Sequence, residues 1–143
     1  MGTPYQKVYE RFLNQLIDFD LPRMSDSELA AYCLGFMKTA IIHIRPLESD
    51  LEARNDSIME FEEELLEVEI QIIACHMVAE WVGQKLYNSQ LVTMFLGTKD
   101  EKFNSQANMI TALKDLRDVK LAEARTLRRD YQYQHSELME QEV

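Results

Sequence analysis

The chain has 143 residues, a formal charge of −10, and only four glycines, three prolines and two cysteines. That length fits one domain with a sizeable core. So little Gly and Pro argues against a turn-rich β-fold or a disordered linker and leaves helix as the default. The acidity excludes a sequence-specific DNA binder, because no basic patch is present to neutralise a run of phosphates.

The charge is unevenly spread. Between Leu47 and Glu69 ten acids face one base, Arg54, whereas Thr111 to Asp130 holds six bases and four acids. The acidic run reads either as a solubilising loop or as one of two complementary surfaces between neighbouring copies. Cys33 and Cys75 both fall on apolar helical patterns, which suits buried free thiols and synthesis in a reducing cytosol. No run reaches the roughly eighteen apolar residues of a membrane helix, and MGTPYQKVYERF lacks an apolar signal core, so no membrane role is expected.

Four helical segments are predicted in chain order. The first spans about Pro4 to Ile17, where Tyr5, Val8, Tyr9, Phe12, Leu13 and Leu16 form one stripe. Residues 18–24 make a short connection containing Pro22. Ser25-Asp26-Ser27-Glu28 is a capping-box pattern that starts the second helix, and Pro46 ends it near Ile44. Gly35 lies inside this helix, either where another helix approaches or as a tolerated weak spot. Leu47 to Glu64 admits three readings: a loop, a short hairpin around Asn55-Asp56, or partial helix. The favoured one is an excursion that leaves the bundle and returns.

The third helix is predicted from Leu66 to Tyr87, with a wide apolar face that includes Ile70, Ile73, Met77 and Val78. Trp81 on that face is expected to anchor the core, with an anchor at a protein interface as the alternative. A connection over Asn88–Phe103 follows, with a possible short helix from Gln90 to Leu96 stopped by Gly97. The fourth helix runs from Asn104 or Ser105 to about Arg129, seamed by Met109, Ala112, Leu113, Leu116 and Val119. The expected fold is therefore all-α: a small bundle of about four helices over residues 1–130, with a long acidic connection between helices two and three. Residues 131–143 are expected as an extended tail that orders on docking.

No chemistry-bearing constellation emerges. A di-metal carboxylate site needs Glu-x-x-His on two helices, but Ala40 precedes His43 by three places and Ile73 precedes His76. Neither a nucleophile elbow, a phosphate-binding glycine loop nor H-E-x-x-H occurs. Cys75 and His76 are adjacent mid-helix and cannot converge on one ion. No catalytic residue, metal or cofactor is expected.

A resemblance adds to this reading. Ala74–Val82, Tyr87-Asn88 and Leu96–Asn108 lie along it, and Lys99-Asp100 with Phe103-x-Ser105-Gln106-Ala107-Asn108 carries it best. The charged stretch Leu113-Lys-Asp-Leu-Arg117, the Tyr131-x-Tyr133 end and Met24–Leu29 also fit. Together, over roughly residues 16–133, the pattern resembles the head–tail connector (adaptor or head completion) proteins of tailed bacteriophages. The resemblance implies a structural virion protein, made in the bacterial host cytoplasm, that forms a ring of about twelve copies at the head–tail junction. Such a ring joins the portal protein to a tail or stopper protein, and double-stranded DNA passes through without specific binding. The C-terminal end would reach the portal, which nominates Arg128, Arg129, Tyr131 and Tyr133 as contacts. Glu62, Glu63 and Glu64 would either line the lumen, repelling phosphates, or face the outer rim. A cytosolic helical interaction or regulatory module is the alternative function, and a stopper or tail-completion protein the second.

Overall fold

The computed structural model describes the backbone of residues 2–16, 23–44, 47, 49–96 and 100–141, and their side chains except for 89–107 and 134–141. The elements in order are β1 (Thr3–Pro4), α1 (Tyr5–Asn14), α2 (Asp26–His43), β2 (Arg54–Asn55), β3 (Glu60–Phe61), α3 (Glu67–Leu96) and α4 (Asp100–Gln141). The fold is a small all-α bundle of four helices with one small antiparallel sheet ordered β1-β3-β2. No helix among the described residues is long and apolar enough to cross a membrane.

Helix α3 is the axis, and each of the other three helices packs on it. Two stripes on its surface make this possible. Ile70, Ile73, Ala74, Met77, Val78 and Trp81 are buried in the core that α1 and α2 complete. Ile72, Cys75, Ala79 and Leu86 are also buried. Spaced three, four and seven residues apart, they share a second face, and that face meets α4 at Cys75 and Glu123. Trp81 is 2% exposed and does anchor the core.

Helix α1 contributes Tyr5, Val8, Tyr9 and Phe12, the stripe its sequence spacing predicts. It starts after Pro4, whose φ of −65° suits the approach to a helix. Gly2 is required just before it. A Cβ there would overlap the carbonyl oxygen of Phe61, so only glycine lets β1 lie against β3. Helix α2 begins as the capping box predicts, with the Ser25 hydroxyl accepting from the Glu28 amide at 3.3 Å. The Glu28 carboxylate bonds to that hydroxyl at 3.0 Å rather than to the backbone amide. Gly35 has open space where its Cβ would stand, so it is a weak spot and not a close approach.

Four expectations need correction. The acidic stretch does not leave the bundle: it forms the β2–β3 hairpin, and Leu51, Phe61 and Leu65 are buried in the core. Three apolar anchors at about 1.5–3 kcal/mol each outweigh the solvation of the acids around them, which stay at the surface. Helix α3 continues to Leu96, beyond the expected end near Tyr87, because Asn88 and Ser89 are only mildly unfavourable in a helix. The extended tail is absent, since α4 runs unbroken through residues 131–141 to Gln141. The seam of α4 is also shifted: Leu113, Ala124 and Tyr131 are buried and Leu116, Lys120 and Leu127 half-buried, whereas Met109, Ala112 and Val119, expected in the seam, are exposed. This seam carries the helix past Arg129. Pro22, Pro46, Gly97 and Lys99 lie outside the described residues, as do the side chains of Phe103–Ala107.

Candidate functional site

Two exposed regions stand out, an acidic hairpin and a helical arm of mixed charge, and each is held in shape by contacts traceable to single residues. The first is the acidic hairpin. Its β1 edge is clasped by Thr3, whose hydroxyl accepts from the Leu65 amide at 2.7 Å and donates to the Glu63 carbonyl at 3.2 Å. Inside the turn, Asn55 Oδ1 accepts from the Ser57 amide at 2.9 Å, a side chain standing in for a backbone acceptor. Met59 adopts φ 55°, a left-handed conformation that costs a non-glycine residue about 1 kcal/mol. In that conformation its carbonyl accepts the Tyr5 amide at 2.9 Å, joining the turn to the start of α1.

Asp56 fastens the hairpin to the helices. Its carboxylate accepts from the Tyr5 hydroxyl at 2.6 Å and from Lys38 Nζ at 2.7 Å, with Arg54 Nε 4.0 Å away. The bonds from Lys38 and Tyr5 hold this carboxyl below the usual aspartate range. Burial and the Asp56 partner push the Tyr5 hydroxyl upward.

At the base of the hairpin, Glu69 is fully buried. It accepts from the Ser49 hydroxyl at 2.9 Å, the Ser49 amide at 3.3 Å and the Leu66 amide at 3.0 Å. The last bond is the reach-back half of a capping box at the start of α3.

The three candidate glutamates are therefore not equivalent. All three are exposed, but the Glu63 carboxylate accepts the Asp50 amide at 2.6 Å and serves the hairpin's own geometry.

The second region is the α3–α4 arm. Its seam holds one polar cluster: Glu123 accepts from Gln71 Nε2 at 2.7 Å and from Cys75 Sγ at 3.1 Å, with Lys120 Nζ at 3.4 Å. Arg11 extends it by donating to Gln71 Oε1 at 3.1 Å. Burial opposes ionisation of Glu123, yet the bonds from Cys75 and Gln71 and the Lys120 ammonium hold its carboxyl below the usual range. Burial, and then the Glu123 carboxylate, push the Cys75 thiol up to about 12, so at neutral pH it is a protonated donor. Burial alone raises Cys33 to about 11. Above the seam, His43 Nε2 lies 3.4 Å from Glu80. Burial, His43 and Arg128 push the His76 imidazole below its ordinary value.

The four nominated portal contacts divide between two faces. Arg129 and Tyr133, four residues apart, are exposed on one face of α4. Tyr131 is only 7% exposed and Arg128 is half-buried, so both turn toward the seam. The three- and four-residue spacing from Leu113 through Ala124 to Tyr131 is the signal that separates these faces. Among the described residues no group of three or more His, Cys, Asp or Glu side chains is arranged to hold a metal ion. No family model, curated protein or solved structure matches the chain.

Proposed function

We propose that the chain is a ring-forming adaptor of a phage head–tail junction, a structural virion protein that binds a portal ring and admits DNA without binding its sequence. The observation that supports this reading is the presence on one small body of two unlike surfaces, an acidic hairpin and a long helix that displays several bases. The acidic hairpin is fastened by Asp56, Thr3 and Glu69 and does not need to order on contact. The long helix α4 leaves Lys114, Arg117, Arg125 and Arg129 exposed, with Asp115, Asp118 and Asp130 exposed among them. Two different surfaces that attract one another make head-to-tail contacts, which close into a ring when the rotation between copies permits. The connector resemblance favours the closed form.

The far end of α4 is the portal-facing element in this reading. Glu123 lies opposite Gln71 and Cys75 in the antiparallel pair, so the helix overruns the start of α3 by roughly 15 Å at 1.5 Å per residue. Arg129 and Tyr133 stand at the base of that overhang, an aromatic and a guanidinium of the kind that dominates contact energies.

Mixing the full chain with a purified portal ring tests the proposal. A complex of fixed stoichiometry that images as a second closed ring is expected, and the double variant Arg129→Glu, Tyr133→Ala should weaken it by about tenfold or more. If the folded chain never joins a portal ring, the reading is wrong.

A further inference from the structure

Helices α1 and α2 both pack on α3, and a cleft of about 340 Å³ opens between them. Tyr9, Leu13, Leu29, Ala30 and Cys33 line it, with Gln6 and Asp26 beside them. Tyr9 and Cys33 are buried, the two leucines and Ala30 half-buried, and Gln6 and Asp26 exposed, so an apolar interior opens through a polar mouth. A cavity of about 150 Å³ takes benzene, so by that scale this cleft has room for a molecule of roughly ten non-hydrogen atoms.

The Tyr9 hydroxyl is the feature that packing does not explain. The residue is only 3% exposed, yet its oxygen has no hydrogen-bond partner among the described residues. Tyr5, one turn earlier, donates its own hydroxyl to Asp56. The Tyr9 ring meets the Tyr5 ring at 6.3 Å and would do so equally as phenylalanine, so the hydroxyl adds only the cost of an unpaired buried polar group. Burial, and then the Cys33 and Asp56 side chains, push this phenol upward, which keeps it a protonated donor at neutral pH. Of those two neighbours, Asp56 is already taken by Tyr5 and Lys38, whereas Cys33 lines the cleft. The cleft is therefore the side from which a partner can reach the hydroxyl.

We propose that this cleft binds a small, neutral, mainly apolar molecule whose carbonyl or ether oxygen accepts a hydrogen bond from Tyr9. The class follows from the lining. Leu13, Leu29 and Ala30 supply apolar contact, and one polar group fixes orientation. No lysine or arginine lines the cleft among the described residues, so an anion has nothing to pair with. Asp26 is exposed at the mouth, where solvent screens it, and gives a cation no buried partner. A bound water is the competing partner for the hydroxyl, and the test separates the two. The site is independent of the ring reading, since its lining residues belong to neither the hairpin nor the arm.

Acetophenone and cumene are matched probes, because a methyl group of cumene stands where acetophenone carries its ketone oxygen. Each is titrated into the full chain while the methyl signals of Leu13, Leu29 and Ala30 are followed by NMR. Both should move those signals saturably. Tyr9→Phe keeps the ring and loses no bond within the chain, so it should fold as before. It should weaken acetophenone by about tenfold and leave cumene unchanged or tighter, because only the ketone loses a donor. Ala30→Phe places a ring in the cleft and should abolish the Leu13 and Leu29 shifts with both probes. Equal acetophenone affinity in Tyr9→Phe overturns the proposal, and so do shifts that persist in Ala30→Phe. Methyl signals that neither probe moves assign the hydroxyl to water alone and overturn it as well.

Discussion

The first half of α3 and its second half share one helix but not one environment. From Glu67 to Val82 the helix is enclosed by α1, α2, the hairpin and α4, and its polar neighbours are committed: Glu69 to Ser49 and Leu66, Gln71 to Arg11 and Glu123. Beyond Val82 it has α4 as its companion, with an open cleft between them. The enclosed half concentrates the apolar burial that stabilises the fold. The arm is a two-helix structure whose outward surface is left for other work, as expected where stability varies along a molecule.

The largest effect is expected in the enclosed half. Phe12 is fully buried and meets Phe36 at a ring-centroid distance of 5.9 Å. Phe12→Ala should cost about 3–5 kcal/mol, read as a lower urea midpoint for the whole chain. A loss below about 1 kcal/mol would mean that the enclosed half is not where stability resides. An intermediate effect belongs to the seam. Glu123→Ala strands Gln71 and the Cys75 thiol and should cost about 1–3 kcal/mol. Hydrogen exchange should show the loss mainly as faster exchange in α4, with α1 and α2 little changed. Equal acceleration in all helices would show that arm and core unfold as one unit. The smallest effect should be a gain: Gly35→Ala adds a methyl into open space on α2 and should raise stability by up to about 1 kcal/mol. A loss on thermal denaturation would mean that α2 approaches a neighbour there after all.

Much of the fold was legible because local signals agreed with one another. The stripe in α1, the Ser25 cap and the apolar face around Trp81 each follow from side-chain spacing. The hairpin was legible only as one of three options, since its strands are two residues each and their pairing is decided by contacts to β1 and α2. Glu69 was hidden among ten acids. Its capping role lacks the usual Ser or Thr partner, because Leu66 stands at that position, and Ser49 lies twenty residues away. The candidate surfaces were legible as charge segregation but not as shapes.

By itself the sequence determined an all-α bundle, its helix starts, the buried Trp81 and the segregation of acid from base, because each rests on residues within a few turns of one another. Tertiary structure alone decided the rest. Burial of Leu51, Phe61 and Leu65 folded the acidic stretch back onto the bundle. Packing in the seam turned Tyr131 and Arg128 inward while leaving Arg129 and Tyr133 outside. Those outcomes depend on what lies across the gap from each side chain, and only packing between distant segments supplies that.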